Sequence, residues 1–274
     1  MAQGNRILRE ESTIITRILK TTYEVTSDIT KFRIPERRIE RIMDFIFMLT
    51  RNDQTVEDCL AVLNLIAPLG VAHIGFKDVG VGYETLQTLA RRIRCLGATS
   101  YLEIVNTSPE STCHSLVTAS RIGVDRVMGG QNVAFALRQL ASADYFPFPG
   151  RPVGHPTRLE GSPEEIAADC RRMRQAGCAG VDLLAYRATD TDPLALVHAA
   201  RQALDGGVLV VAGSINSPTR IHALAAAGAD AFTVGSAAFD GSFSPRKGLL
   251  LAQLNEIMAV CTGLQQPGGL VSPR

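Results

Sequence analysis

The chain has 274 residues, of which 46% are hydrophobic, 20% are charged and only 5% are aromatic, and its formal net charge is +1. Such a chain can bury a large, mainly aliphatic core, while its balanced charge gives no reason to expect nucleic acid or an anionic membrane surface as a partner. No apolar run reaches the roughly 18 residues of a membrane helix and no signal-peptide core is present, so we expect a cytoplasmic protein.

The six cysteines show no pairing pattern. None stands in a CxxC motif, and most fall in predicted helices or just after them, as expected of small buried hydrophobic side chains. No group of His, Cys and carboxylate residues has the spacing of a zinc site. We therefore expect no disulfide framework, no metal and no redox cofactor.

Residues 1–43 precede the first predicted strand and form a predicted N-terminal helical extension. Their apolar residues include Ile14, Ile15, Ile18 and Leu19, which recur with helical spacing among mixed charges. Such an extension would either close one end of the following domain or contact another subunit. A homo-oligomer is therefore a reasonable expectation.

A repeating unit of helix, glycine and short apolar strand occupies residues 44–261. Glycine after a helix supplies a left-handed C-cap, and Ser-Pro pairs supply an N-cap followed by proline at the first helical position. Ser162 with Glu165, and Thr55 with Asp58, also fit the capping-box pattern. The pattern predicts eight buried strands, at residues 44–50, 72–77, 99–105, 125–129, 143–147, 180–186, 208–213 and 231–235.

Strand–helix alternation repeated eight times is typical of an α/β barrel. A doubly wound open sheet is the alternative, but it requires a GxGxxG loop after the first strand, where the sequence reads LTRNDQTVEDCL. The predicted fold class is therefore a single (β/α)8 TIM barrel over residues 44–261. The remaining residues, 262–274, read as a disordered tail.

Alternation along the strands identifies the side chains that point into the barrel. The outward apolar faces leave these inward residues: His73 and Lys77 on the second strand, Tyr101 and Glu103 on the third, Arg126 and Met128 on the fourth, and Asp182, Leu184 and Tyr186 on the sixth. A buried charge is costly unless it is paired. Glu103 and Arg126, on adjacent strands, are therefore candidates for a structural ion pair inside the barrel.

Lys77 is the inward residue with the most reactive side chain. It ends the second strand at the carboxyl end of the barrel, where the active sites of this fold lie. Desolvation at such a rim favours the neutral amine, which can form a Schiff base with a carbonyl group or act as a general base. Attraction of a second anionic group of the substrate is the remaining interpretation.

Several polar residues follow the predicted strands at the same end of the barrel. The loop at 145–163 is long, rich in Pro and Gly, and carries Arg151, His155 and Arg158. Long loops on this face usually close over substrate, so His155 could transfer a proton and the arginines could bind a carboxylate or a second phosphate. A purely structural loop with solvated charges is the alternative. Further candidates are Arg51 and Asp53 after the first strand, Asp78 after the second, Asn106 after the third and Arg187 after the sixth.

The seventh and eighth strands each end in Gly-Ser, at Gly213-Ser214 and Gly235-Ser236. These strands are neighbours in a barrel, so the two turns emerge side by side. Glycine lets the backbone approach an anion closely, serine adds a hydroxyl donor, and the segment after Gly235 can begin a short helix. The loops after strands 7 and 8 frequently bind phosphate in this fold. The alternative is that small residues merely allow tight packing at the rim.

The segment AGSI…RIHALAAAGADAFTVGSAAF resembles the C-terminal quarter of the ribulose-phosphate-binding barrel superfamily, over about 30 residues. That superfamily includes sugar-phosphate epimerases, isomerases, aldolases and decarboxylases. The resemblance implies a (β/α)8 barrel and a phosphorylated substrate held at the two Gly-Ser turns.

The run FIFMLTRNDQTVEDCLAVLNLIAPLGVAHIGFKDVG is similar in layout to the start of (5-formylfuran-3-yl)methyl phosphate synthase. That family has a Schiff-base lysine at the end of strand 2, where this chain has Lys77. A second lysine that the family carries in strand 4 has no counterpart in VDRVMGGQN. N-acetylmannosamine-6-phosphate epimerases are also similar, because their lysine after strand 2 serves proton transfer.

The sequence therefore predicts an enzyme that acts on a small phosphorylated sugar or keto compound. Lys77 would form the imine of an aldolase-type lyase, with Glu103 and Asp182 as proton relays. Two alternatives stay open: a sugar-phosphate isomerase or epimerase that uses Lys77 as acid and base, and a non-catalytic subunit that binds a phosphorylated metabolite.

Overall fold

A computed structural model describes residues 43–106, 108–154 and 156–264, and shows one eight-stranded parallel sheet. Its strands are β1 (Asp44–Met48), β2 (His73–Lys77), β3 (Thr99–Ile104), β4 (Arg126–Gly129), β5 (Asp144–Phe146), β6 (Gly180–Leu183), β7 (Val208–Val211) and β8 (Ala231–Val234). Hydrogen-bonded neighbours follow the order β6-β7-β8-β1-β2-β3-β4-β5. Each observed strand lies within a predicted one, and the predicted (β/α)8 barrel is confirmed.

The barrel closes between β5 and β6 with fewer hydrogen bonds than a regular ladder. Ala179 N–H donates to Tyr145 C=O at 3.1 Å, and Asp182 N–H donates to Pro147 C=O at 3.0 Å. By contrast, β1 and β8 pair over four residues, from Asp44 with Ala231 to Phe47 with Val234. The β5–β6 contact is therefore the seam of the barrel.

Helices cover the outside of the sheet. They are α1 (Cys59–Ile66), α2 (Tyr83–Cys95), α3 (Pro109–Ile122), α4 (Val133–Gln139), α5 (Pro163–Ala176), α6 (Pro193–Ala203), α7 (Pro218–Ala227), α8 (Ser236–Phe239) and α9 (Leu250–Leu264), with short 3-10 turns at Ala67–Leu69, Ala185–Arg187 and Pro245–Lys247. The Ser162–Glu165 capping box at the start of α5 is present. The Thr55–Asp58 box is wrong, since Asp58 precedes α1 without a side-chain cap bond and the Thr55 hydroxyl is used elsewhere.

The core has two layers. The outer layer packs strand residues such as Phe76 and Leu102 against the helices, as the outward alternation predicts. The inner layer fills the barrel with seven buried residues: Ile46, Met48, Tyr101, Met128, Phe146, Val210 and Ala231. Gly75 leaves room for this layer, because a Cβ there would lie 2.3 Å from the Met48 sulfur.

Two antiparallel hairpins extend from the carboxyl end of the barrel. The first hairpin follows β1 and pairs Thr50–Arg51 with Gln54–Thr55. The second hairpin follows β5 and pairs Arg151–Val153 with Arg158–Glu160, so the loop expected at 145–163 contains regular structure.

The predicted N-terminal extension lies outside the described residues, except for Met43, which is buried. Helix α9 ends at Leu264, so residues 262–264 continue the last helix rather than the predicted tail. Within the described ranges, no helix has both the length and the apolar character to cross a membrane.

Candidate functional site

The site is centred on Lys77, at the carboxyl end of β2. Lys77 stands opposite Glu103 of β3, and both side chains point into the barrel, as alternation predicts. The Lys77 Nζ lies 2.7 Å from Asp53 Oδ1 and 3.5 Å from Glu103 Oε2. Lys77 is only 3% exposed, so these two carboxylates replace the water that would otherwise surround its amine.

The first hairpin carries Asp53 to Lys77. Its two central residues, Asn52 and Asp53, have φ of 52° and 60°, the left-handed pair of a type I′ turn. The Thr55 hydroxyl fastens this hairpin to β2, since it accepts a hydrogen bond from Lys77 N–H and donates one to Lys77 C=O, both at 2.8 Å. Thr55 was missed as a site residue because the sequence pattern assigned its hydroxyl to a helix cap.

Arg187 holds the other side of Asp53. Its Nη1 and Nη2 donate to Asp53 Oδ2 and Oδ1 at 2.8 Å and 2.7 Å. Burial alone would raise the pKa of Asp53, but the Arg187 hydrogen bond and the Lys77 charge outweigh it and hold the pKa well below its usual range. Asp53 is therefore an ionised carboxylate shared by two cations.

Asp182 of β6 differs from Asp53, because its surroundings raise its pKa rather than lower it. It is fully buried, and neither carboxylate oxygen has a hydrogen-bond partner among the described residues. Burial, followed by the charge of Glu103, raises the pKa of Asp182 well above its usual value, and the opposing charges of Lys77 and Arg187 do not cancel this. Such surroundings favour the protonated carboxyl group, the form that can donate a proton.

A cavity of roughly 170 Å³ opens above Lys77 and Glu103. Both Gly-Ser turns, Gly213-Ser214 and Gly235-Ser236, line it together with Arg187. A Cβ at Gly213 would lie 2.4 Å from Arg187 Nε, and one at Gly235 would lie 2.7 Å from Thr50 Oγ1. Close packing therefore requires glycine at both turns, and the same turns form the wall of a cavity whose floor is Lys77.

A second, larger cavity of roughly 870 Å³ adjoins the first. The two share Asp53, Arg187, Ser214 and Ser236. We call them the inner and outer cavities. The outer cavity is bounded further by Asn52 and by one end of the second hairpin, with Gly154, Pro156, Thr157 and Arg158.

Not all predicted substrate-binding residues reach these cavities. Arg51 points away, because its guanidinium pairs with Asp240 and donates to Phe239 C=O. Asp78 and Asn106 hydrogen-bond to each other and line a separate side cavity next to α2 and α3. His155 lies outside the described residues. Of the candidates that follow the strands, the structure places Asp53 in direct contact with Lys77, and Arg187 next to Asp53.

Two further expectations are wrong. Leu184 and Tyr186 do not point into the barrel, because β6 ends at Leu183 and a 3-10 turn follows. Tyr186 instead stacks under the Arg220 guanidinium, which lies 4.6 Å from the ring centre and donates to Ser214 C=O.

Glu103 and Arg126 do not form the expected ion pair. Strand register places Arg126 opposite Tyr101, two residues before Glu103. Arg126 therefore lies near the opposite end of the barrel, where it donates to the Tyr101 hydroxyl at 2.5 Å and pairs with Asp144. Burial raises the pKa of Tyr101 to about 12 despite the Arg126 charge. His73 belongs to the same structural cluster, because its Nδ1 lies within hydrogen-bond distance of the Tyr101 hydroxyl, at 3.1 Å.

No protein-family model matches the sequence, and no curated protein matches it. Solved structures do match. Orotidine 5'-phosphate decarboxylase from Pyrococcus horikoshii is 13% identical with a TM-score of 0.57, and the match covers 81% of this chain and all (100%) of that chain. Thiamine phosphate pyrophosphorylase from Pyrococcus furiosus is 14% identical with a TM-score of 0.53, covering 81% and 98%.

A third structure, an aldolase named QR15, is 13% identical with a TM-score of 0.56, covering 81% of this chain and 99% of that chain. At these identities the likeness concerns the fold. The fold implied by the resemblance to ribulose-phosphate-binding barrels is confirmed, and the chain is a (β/α)8 barrel of the kind that aldolases and related enzymes share.

Proposed function

We propose that the protein is an enzyme that acts on a small phosphorylated sugar or keto compound through an imine at Lys77. The observation that carries the proposal is the position of Lys77: a buried amine on the floor of a cavity whose walls include both Gly-Ser turns. A substrate phosphate at Ser214 and Ser236 would fix the carbon chain and present its carbonyl to the amine.

The first step is transfer of a proton from the Lys77 ammonium to Glu103, followed by attack of the neutral nitrogen on the substrate carbonyl carbon. The carbonyl oxygen then takes one proton from the attacking nitrogen and one from Glu103 and leaves as water, which yields an iminium ion. Glu103, 3.5 Å away, is placed to accept a proton, while Asp53 is held ionised by Arg187 and anchors the nitrogen. Asp182, whose buried surroundings raise its pKa and which senses the charges of Glu103 and Lys77, would exchange a proton with this relay.

The second step uses the iminium ion as an electron sink. The bond between the α- and β-carbons, counted from the iminium carbon, breaks. Its electron pair forms the C=C bond of an enamine while the C=N electrons move onto nitrogen, and a proton leaves the hydroxyl on the β-carbon, which becomes the aldehyde carbon of the departing fragment. Protonation of the resulting enamine and hydrolysis of the imine return free Lys77 and the second product. Net, the reaction splits one substrate into two carbonyl compounds, as in an aldolase-type lyase.

One observation favours the isomerase or epimerase alternative. Lys77 hydrogen-bonds to one carboxylate and lies near a second, an arrangement that also suits an ammonium that delivers and recovers a proton. In that reaction no covalent bond to Lys77 forms. The two functions therefore differ in a property that can be measured directly.

Borohydride trapping tests the proposal. The protein is mixed with triose, tetrose, pentose and hexose phosphates and with pyruvate, reduced, and weighed intact. We expect an adduct that maps to Lys77 and that is lost in Lys77→Met, while Lys247→Met, which changes an exposed lysine paired with Glu256, keeps it. If a ligand stabilises the protein and yet gives no adduct, the imine mechanism is wrong; deuterium exchange into that ligand would then identify proton transfer by Lys77.

A further inference from the structure

We propose that the outer cavity is a second anion subsite, in which Arg158 binds a carboxylate or phosphate group that the substrate carries beyond the phosphate held at the Gly-Ser turns. The inference rests on the proposed function, because it takes the phosphate at Ser214 and Ser236 as its starting point. It adds a substrate class: phosphorylated compounds with two anionic groups.

The charges around the outer cavity support an anion. Asp53 is the carboxylate among its described lining residues, and Arg187 and Lys77 already neutralise it. Arg158 also lines the cavity, beside Gly154, and has no ion-pair or hydrogen-bond partner among the described residues. Its guanidinium is thus an uncompensated positive charge with a fork of donors that suits carboxylate or phosphate oxygens.

The two arginines of the second hairpin have different surroundings. Arg151 Nη1 pairs with Glu165 at 2.6 Å, and its Nε lies 3.8 Å from Glu160. Arg151 is also not among the residues that line the outer cavity. Arg151 therefore fastens the hairpin to α5, and Arg158, on the opposite strand of the same hairpin, remains available for a ligand.

The wall that carries Arg158 is fixed in place. Arg187 Nη1 donates to Thr157 C=O at 3.2 Å, so the residue before Arg158 is tied to the Asp53–Arg187 pair. The residue after it, Leu159, forms a β-bridge with Ala188. The backbone that carries Arg158 therefore needs little ordering when a ligand binds, and the exposed Arg158 side chain is the part that a ligand would order.

The sizes of the cavities agree with a two-part substrate. The inner cavity, at roughly 170 Å³, has room for a carbonyl group and its nearest carbons, whereas the outer cavity has roughly 870 Å³. Ser214 and Ser236 stand at the boundary between them. A phosphate bound there would leave the outer cavity for further substrate atoms.

Binding of three probes without a ketone or aldehyde group tests the subsite separately from imine chemistry. The probes are propylphosphonate, 3-phosphonopropionate and pyrophosphate, measured by calorimetry at fixed ionic strength. 3-Phosphonopropionate and pyrophosphate each carry a second anionic group, which propylphosphonate lacks. We expect at least one of these two probes to bind roughly tenfold more tightly than propylphosphonate, the gain expected of one charge-assisted contact. Tighter binding of 3-phosphonopropionate would identify the second group as a carboxylate, and tighter binding of pyrophosphate would identify it as a phosphate.

Three variants decide the assignment. Arg158→Gln should remove the tenfold advantage, Arg158→Lys should keep part of it, and Arg151→Gln should leave it unchanged. If propylphosphonate binds, and Ser236→Ala weakens it, but a second anionic group adds no affinity in the wild-type protein, the subsite is overturned and the phosphate site stands. If no probe binds, both proposals fail. An advantage that survives in Arg158→Gln overturns the role of Arg158.

Discussion

Arg187 and Asp53 lie 134 residues apart in the sequence and form a two-pronged ion pair at the carboxyl end of the barrel. The same Asp53 oxygen that accepts from Arg187 Nη2 also accepts from Lys77 Nζ. The position of the lysine amine therefore depends on a turn that follows β1 and on an arginine that follows β6.

Asp53→Asn tests this dependence. The substitution removes the carboxylate that bridges buried Lys77 and part-buried Arg187, so we expect the free energy of unfolding to fall by about 3 kcal/mol. Because the pKa of Asp53 is lowered in the folded state, its stabilisation is present above the unfolded value of about 4 and declines as the pH falls towards the folded value. The loss should therefore be larger at pH 7 than at pH 3, as measured by urea unfolding.

Asp240→Asn is the matched control for that measurement. Asp240 also pairs with an arginine, Arg51, but both side chains are about half exposed. An exposed pair contributes little, so we expect a loss below about 1 kcal/mol. Equal losses in the two variants would contradict the central role of Asp53.

Thr55→Val tests the attachment of the first hairpin. Valine fills the same volume but removes both hydrogen bonds to the Lys77 backbone, so a loss of about 1–3 kcal/mol is expected. The hairpin would also hold Asp53 less firmly, and adduct formation at Lys77 should slow. Thr189→Val, at an exposed hydroxyl that bonds Asp190, should change neither quantity.

Asp182→Asn should stabilise the protein at neutral pH. The pKa of Asp182 is raised by burial in the folded state, so the folded protein keeps a proton that the unfolded chain releases above pH about 4, and stability falls as the pH rises. Asparagine removes that dependence. In urea unfolding, the free energy of unfolding of the variant should exceed that of the wild-type protein at pH 8 but not at pH 4. If Asp182 relays protons, turnover should also be slower in the variant. A loss of stability at both pH values would contradict the protonated state.

Gly213→Ala should displace Arg187. Two effects are expected: the left-handed conformation (φ 80°) costs about 1–2 kcal/mol for a residue with a side chain, and the new methyl group would collide with the Arg187 side chain. Gly206→Ala separates them, because Gly206 has a similar φ of 78° and open space around its Cα. Only Gly213→Ala should weaken phosphate and propylphosphonate binding, measured by calorimetry.

The strands and the direction of Lys77 could be predicted because both follow from a local period of two. The error at Tyr186 has a local cause as well: the apolar run continues to residue 186, but the backbone leaves the strand at Leu184 to form a 3-10 turn. The error at Arg126 comes from register. Neighbouring barrel strands are staggered, so two inward residues on adjacent strands need not lie in the same layer, and a single sequence does not reveal the stagger.

The roles of Asp53 and Thr55 at the site could not be predicted from the sequence either. The residues RNDQT read equally well as a loop that precedes a helix, and nothing in their spacing reveals the left-handed pair at Asn52 and Asp53. Their role depends on contacts with Lys77 and Arg187, which lie 24 and 134 residues from Asp53. Long-range pairs of this kind need the fold before they can be recognised.

The seam between β5 and β6 separates the candidate site residues into two groups along the chain. The portion before it contributes Lys77, Asp53 and Glu103, and the portion after it contributes Asp182, Arg187 and both Gly-Ser turns. Neither half-barrel alone would possess a nucleophile together with a place to hold the substrate. On the proposed function, a nascent chain would therefore become reactive only when both portions of the barrel have been made and joined.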